Sequence, residues 1–293
     1  VMQHIEEAGI HSGDSACVLP PYRIKADSLD EIVRITNDLA MELNVLGLIN
    51  IQFAYKEGKI YVLEVNPRAS RTIPFVSKTT NVPLARIAAQ ISTGKKLKDF
   101  NLPSWDMINH VSVKEAVLPF NKFPEESIFL SPEMKSTGEV MGISKTFGES
   151  FKRAIISSGN KIFYKGTVFF SVNDPDKLNA IPIARDLQEL GYKIVATDGT
   201  SLELNRNGIP SKTVFKVGEG RPNILDHIMN NEIQMVINTP LGSKSRYDEE
   251  AIGRACIQKG IMAITTLSGA NAAVRAIRSR KRKTVKSLQS YHS

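Results

Sequence analysis

Three oxygen-bearing side chains, Gln52, Glu64 and Asn66, carry the sharpest chemistry in the sequence. Two short strand-like runs, Leu48 to Ala54 and Ile60 to Val65, are joined by Lys56-Glu57-Gly58-Lys59, a polar connection with one glycine that reads as a β-hairpin. Side chains alternate along a strand, so Glu64 and Asn66 share a face, and Gln52 can meet them from the neighbouring strand. One carboxylate and two amide oxygens suit Mg²⁺, a hard cation that takes few protein ligands and completes its shell with phosphate oxygens and water. Arg68 and Arg71 follow at once and can neutralise phosphate charge beside the metal. Taken alone, Glu-x-Asn-x-Arg reads more readily as an ordinary polar sheet face. Its company argues otherwise: Asn66-Pro67-Arg68 breaks the strand where a loop would meet a ligand, and Gly9-Ile10-His11-Ser12-Gly13-Asp14-Ser15 is a small polar turn suited to lining a nucleotide.

A second group of polar residues recurs at the ends of later strand-like runs. These runs are Thr167 to Val172, Lys193 to Thr197, Thr213 to Val217, Met235 to Thr239 and Ala263 to Thr266. Their ends carry Thr197 and Thr200, Lys216, Asn238 and Thr239, and Thr265 and Thr266, with Gly199, Gly218 and Gly220 nearby. Each residue taken singly is also what a helix cap or turn uses. Gathered at one sheet edge in front of helix N-termini, they would make a phosphate site.

The elements that position these groups fall into two textures, meeting between residues 150 and 166. Before that point strands and helices follow no strict alternation. Ser28 and Glu31 make a capping box for a helix with an apolar face of Leu29, Ile32, Val33, Leu39, Leu43 and Leu46, stopped by Gly47. Pro83 opens a helix carrying Leu84, Ile87, Ala88 and Ile91, closed by Gly94. The run Ser157 to Lys161 fits a linker. Beyond it, helical patterns at Leu178 to Leu190, Ile224 to Asn230, Asp248 to Lys259 and Ala270 to Ile277 alternate with the strands. That alternation predicts a parallel sheet wound on both faces.

The 293 residues suffice for two domains. The two cysteines, Cys17 and Cys256, form no CxxC pair and suggest a reducing compartment. No apolar run approaches the ~20 residues that cross a bilayer and no signal peptide opens the chain, which predicts a cytoplasmic protein. The net charge of +8 is a tail property: from Arg275 onward seven residues are basic and none acidic, and the remainder holds 31 basic against 30 acidic side chains. A solvated tail is expected there, and nucleic-acid binding is not, since no aromatic platform or recognition motif accompanies the charge. Val1 opens inside an apparent element without an initiator Met, so upstream sequence is expected.

The run HSGDSA, then NIQFA, then EVNPRASRT with PFVSK, resembles the second ATP-grasp unit of carbamoyl-phosphate synthetase large chains, and the likeness continues through VKEAVLPFNKF and PEMKSTGEVMG. The resemblance implies a mixed α/β and α+β chain. Residues 1–156 would be the C-terminal part of an ATP-grasp domain, residues 166–279 a methylglyoxal-synthase-like allosteric domain, and residues 280–293 a basic tail. It implies ATP, Mg²⁺ or Mn²⁺ on Gln52, Glu64 and Asn66, and K⁺ as a further candidate ion. Gly9, Ile10, His11 and Ser12 would touch the nucleotide, and Arg68 would handle phosphate. The implied reaction is transfer of a phosphoryl group from ATP to carbamate, for pyrimidine and arginine biosynthesis. The implied partners are the missing N-terminal part of the large chain and a glutaminase small subunit, and the chain by itself is expected to be inactive.

The segment from about Gly166 resembles the regulatory domain of the same large chains. A nucleotide monophosphate, UMP or IMP, would bind through Lys177, Thr197, Thr200, Lys216 and Asn238. One family position, usually Thr, is Pro240 here. Ornithine would bind near the domain junction through Glu6, Asp14, Glu115 and Thr265, although an adjoining Tyr position is Ala263. Methylglyoxal synthase shares this fold, but only Asp198 remains as a candidate base and the loop from Pro240 to Arg246 lacks an acidic residue. A non-catalytic effector-binding module, or another ATP-grasp ligase, are the alternative readings.

Overall fold

A computed structural model of the chain describes residues 1–103, 108–120, 122, 130–239, 246–279 and 285–292. Pro240 and most of the basic segment, 280–284, lie outside the described residues. Among the described residues, no helix is long and apolar enough to cross a membrane.

The first half is built on an antiparallel sheet of four strands, β1 (Gln3–His4), β2 (Cys17–Leu19), β5 (Val111–Val117) and β6 (Gly138–Ser144), in the order β1-β2-β5-β6. Among the described residues, strands β3 (Asn50–Lys56) and β4 (Lys59–Asn66) pair only with each other, as the expected hairpin. Glu57 and Gly58 at its tip have φ of 51° and 79°. Positive φ at both loop positions is what a two-residue connection needs to match the twist of the strands.

Helix α1 (Ala26–Glu42) starts two residues before the proposed capping box. Lys25 is the N-cap without a side-chain bond, Ser28 lies inside the helix, and Glu31 pairs with Arg34 at 3.3 Å instead. The ladder opens with Leu29 N–H on the Lys25 carbonyl (3.0 Å), so backbone geometry rather than a side-chain cap sets the entry. Of the expected apolar face only Ile32 is buried in full, and Leu46 is 80% exposed. Helix α3 (Leu84–Ser92) forms as expected. Two further helices, α2 (Ile73–Thr80) and α4 (Phe147–Ser157), lie where the sequence suggested none.

The second half is the expected parallel sheet. Its strands are β7 (Gly166–Ser171), β8 (Tyr192–Ala196), β9 (Ser211–Thr213), β10 (Met235–Asn238) and β11 (Met262–Ile264), in the order β11-β10-β7-β8-β9. Every neighbouring pair is parallel. Helices α5 (Lys177–Glu189), α7 (Ile224–Met229), α8 (Arg246–Lys259) and α9 (Leu267–Arg278) match the periodic segments. Helix α6 (Asp198–Arg206) was not expected. Its buried positions include Thr200 and Ser201 beside Leu204, so its inward face is partly polar and leaves no apolar period to read. Two cores flank the sheet: one gathers Val168, Phe170, Leu187 and Ile277, the other Phe169, Ile224, Val236 and Ile252.

The two halves share packing. Phe147, Phe151 and Ala154 of α4 form one core with Val18 and Val113 of the antiparallel sheet and with Ala272 and Ala276 of α9. Gly148 permits the closest approach: a Cβ there would lie 2.4 Å from the Arg275 carbonyl oxygen. The Arg275 guanidinium covers the stacked rings of Tyr22 and Phe147 at 5.2 and 4.7 Å, a cation–π arrangement.

The end of the chain departs from the expected solvated tail. Tyr291 Oη donates to the Ile143 carbonyl (3.3 Å) and accepts from Arg153 (3.1 Å). His292 Nε2 donates to the Lys78 carbonyl at 2.8 Å, and both rings meet His110 edge-on. His110 Nε2 in turn donates to the Thr79 carbonyl (3.1 Å). Two imidazoles therefore satisfy carbonyls of the last turn of α2, which has no partners of its own for them. The basic count had obscured this, because Tyr291 and His292 dock through ring and polar contacts rather than through charge.

Candidate functional sites

The hairpin register brings the proposed metal ligands together. Gln52 and Glu64 are direct cross-strand partners, and Asn50 faces Asn66. The register shifts after Gln52, where Phe53 faces Val62, a bulge of the kind found beside functional sites. Asn66 Nδ2 donates to Glu64 Oε1. Glu64 is exposed and Gln52 half-buried, so all three oxygen-bearing groups lie on one accessible face. Among the described residues no three His, Cys, Asp or Glu cluster as a metal cage. One carboxylate with two amides still fits Mg²⁺ or Mn²⁺, which relies on phosphate and water for the rest of its shell.

The turn over Gly9 to Ser15 lies against this hairpin, with Gln52 Nε2 donating to the Ile10 carbonyl at 3.4 Å. His11 is turned into its own loop, where Nδ1 accepts the Gly13 N–H (3.0 Å) and its backbone N–H reaches the Ser131 carbonyl (2.9 Å). Gly9 is exposed with φ of 103°, while Ile10 and Ser12 are half-buried. Arg68 is exposed, its guanidinium donating to the neighbouring Ala69 carbonyl at 3.1 Å. Arg71 is committed elsewhere: its guanidinium holds the Ser136 carbonyl and hydroxyl, both at 3.0 Å. A cleft of about 780 Å³ opens beside the hairpin, lined by Glu6, Ser12, Ile32, Gln52 and Phe53 among others.

The four residues named for an amino-acid effector do not converge as one set. Asp14 is buried and spent on the loop opposite, accepting the Lys135 and Ser136 N–H groups at 2.8 Å each. Thr265 lies past β11, at the edge of the other sheet. Glu6 and Glu115 do meet. Burial pushes the Glu6 carboxyl up to about 7, although its Oε2 accepts the Ala16 N–H at 2.6 Å. Burial first, and then the Glu6 charge, pushes Glu115 up to about 8. The charge of Lys114, missed in the sequence, opposes both shifts. Its side chain is wholly buried, with Nζ 2.9 Å from the Ser12 carbonyl and 3.4 Å from Glu139. Nothing in the strand pattern marks it, because Ser112, Val113 and Lys114 are all buried in succession. Burial and this ammonium together hold His4 down, at about 4.

At the carboxyl edge of the parallel sheet the chain reverses direction between β7 and β10, the place where doubly wound folds take ligands. The edge is stitched by Thr239 N–H to the Ser171 carbonyl (3.0 Å) and Asn173 N–H to Thr239 Oγ1 (3.0 Å). Thr197 and Thr200 are buried, joined Oγ1 to Oγ1 at 3.2 Å, and the Thr200 hydroxyl takes the Val172 N–H (3.3 Å). They build the first turn of α6 rather than stand open beside it. Asn238 is half-buried at the end of β10, and Lys216 is half-buried with Nζ 3.9 Å from Glu219. Lys177 pairs with Asp174 at 2.6 Å. The sequence reading passed over Asn173 and Asp174, although Asn-Asp-Pro-Asp directly after a strand is a turn signal that points to them.

Two units are thereby defined, an antiparallel sheet with its hairpin and a parallel α/β sheet. Residues 2–100 match the family model described as "Carbamoyl-phosphate synthase L chain, ATP binding domain", and residues 179–265 match the "MGS-like domain". The chain is 52% identical over its whole length to the carbamoyl phosphate synthase large chain of Archaeoglobus fulgidus, of which it spans 27%. It is 51% identical to that of Pasteurella multocida, again over its whole length and 27% of the relative. The chain belongs to the carbamoyl phosphate synthase large-chain family, and spans about a quarter of the length of these relatives.

Proposed function

We propose that the chain supplies the metal-holding half of an ATP site that phosphorylates carbamate, joined to a domain that senses a nucleotide monophosphate. The observation that carries this reading is the hairpin register, with Gln52 opposite Glu64, Asn66 on the same face and Arg68 at the end of the same strand. Mg²⁺ or Mn²⁺ held by Gln52, Glu64 and Asn66 would neutralise the phosphates of ATP. Phosphoryl transfer asks for positioning and charge neutralisation rather than a protein nucleophile. The Gly9–Ser12 turn, tied to Gln52, presents backbone to the nucleotide, and Arg68 offsets charge on the moving phosphoryl group or the carbamate. The rest of the nucleotide site, the K⁺ site and the ammonia supply from a glutaminase subunit belong to the remainder of the large enzyme. UMP or IMP would bind at the carboxyl edge of the parallel sheet, and an amine such as ornithine beside Glu6 and Glu115. A second reading, a purely regulatory module, is favoured for the chain by itself, because the whole second sheet and its edge lie within it.

A chimera tests the catalytic part. With this chain replacing the matching segment of the Archaeoglobus fulgidus large chain, Glu64→Ala should abolish carbamoyl-phosphate synthesis while the protein stays folded. Unchanged synthesis would refute the metal assignment. Calorimetric titration of the chain with UMP, IMP and ornithine tests the regulatory part, and Lys216→Ala should weaken nucleotide binding.

A further inference from the structure

At the carboxyl edge of the parallel sheet one acidic side chain stands where an anion belongs. Lys177 opens α5, and its ammonium lies over the first turn of α6: a Cβ on Gly199 would come within 2.9 Å of Nζ. A helix N-terminus carries partial positive charge and unbonded N–H groups, so an ammonium placed there is repelled unless an anion accompanies it. Asp174 is that anion. Its Oδ1 lies 2.6 Å from Lys177 Nζ. Its carboxyl is held below the ordinary aspartate range chiefly by the hydrogen bond and charge of Lys177, with a further contribution from Lys216. Of the two lysines to which the sequence points for a phosphate, Lys177 therefore already holds this carboxylate, while Lys216 lies 3.9 Å from Glu219. The Asp174 side chain is 87% exposed, so it can swing away without unpacking anything. The backbone beneath it is fixed, with Asn173 N–H on Thr239 Oγ1 and Asn173 Oδ1 taking the Asp176 N–H (2.9 Å).

We propose that Asp174 is a resident stand-in for the effector's phosphate: it neutralises Lys177 in the absence of ligand, competes with phosphate for it, and so sets the affinity and anion selectivity of the edge. The inference rests on reading this edge as a nucleotide-monophosphate site. A carboxylate brings one charge and two acceptor oxygens, whereas a phosphate monoester brings nearly two charges and three. A phosphate can therefore displace Asp174, while a singly charged carboxylate such as acetate gains nothing over the side chain already there. Removing the carboxylate should tighten phosphate binding and also unmask the repulsion between Lys177 and the helix end.

Calorimetry on the whole chain, wild type against Asp174→Asn, with UMP and inorganic phosphate at low ionic strength, tests this. Asp174→Asn should bind both roughly fivefold more tightly, the scale of one exposed ion pair. The gain should vanish in a Lys177→Ala background. The melting temperature of Asp174→Asn should fall without phosphate and recover when phosphate is added, which a loss of packing would not show. Equal or weaker UMP binding by Asp174→Asn, with wild-type binding intact, would overturn the inference and leave the site reading standing. Absence of UMP and phosphate binding by both folded proteins would sink the site reading itself, and the role of Asp174 with it.

Discussion

Replacing Gly148 by alanine should destabilise the chain, although the same change in an exposed helix ordinarily helps. Alanine is favoured over glycine in a helix interior by about 1 kcal/mol, and by less in the first turn. At position 148 the added Cβ would meet the Arg275 carbonyl oxygen at 2.4 Å, against an ordinary contact of at least 3.4 Å, so α4 and α9 must part by roughly an ångström. The obstacle is backbone and cannot turn aside. Parting the helices opens the seam where Phe147, Phe151 and Ala154 meet Ala272 and Ala276. A gap of that size forfeits roughly a quarter to a half of the dispersion energy of each facing atom pair. Overpacking of this kind costs about 1–3 kcal/mol. Set against the small propensity gain, a net loss of about 2 kcal/mol follows. Urea unfolding of wild type and Gly148→Ala, followed by circular dichroism, measures it. A variant as stable as wild type, or more stable, would refute the claim that the two halves are held together by close approach of these helices.

The Glu6–Glu115 pair predicts that stability falls as pH rises from about 6.5 to 8, above the range of the depressed His4. Both carboxyls hold protons in the folded chain that they have lost in the unfolded one, so the folded state binds more protons in this window and loses about 2 kcal/mol across it. Glu115→Gln should flatten that slope relative to wild type in urea titrations at several pH values, and a parallel slope would count against the pair. Tyr291→Phe should cost about 1 kcal/mol, the value of a hydroxyl bonded to the Ile143 carbonyl and Arg153. It should also speed amide exchange over residues 288–292, and a variant with unaltered exchange and stability would show that the chain end is not docked.

Much of the fold was legible because its signals are local. The hairpin announced itself through two strand-like runs around Glu57-Gly58, and the parallel sheet through strands alternating with apolar helical periods. Helix α6 was not legible, since a helix whose inward face is Thr200 and Ser201 carries no hydrophobic period. The strand expected at Thr213 to Val217 lies earlier, at Ser211–Thr213, for a related reason. Residues Ser211–Thr213 pair with β8, whereas Phe215 turns aside to bridge Asn223, and strand propensity does not report which neighbour is within reach. Among site residues, Gln52, Glu64 and Asn66 could be named because strand alternation fixes their common face. The partners of Asp14 could not be named, since they are two backbone N–H groups more than a hundred residues away.

The sequence by itself determined which residues could do chemistry and on which face of a strand each would stand, because alternation along β3 and β4 and the order of strands and helices are properties of neighbouring residues. Only the tertiary structure decided what surrounds those residues. It buried Lys114 beside Glu139, placed Asp174 on Lys177, and returned Tyr291 to β6 and His292 to α2. These contacts join residues from separate elements, and burial strengthens the electrostatic ones by removing water. Neither the separation nor the desolvation is written in any local pattern, so their energies appear only once the chain has closed on itself.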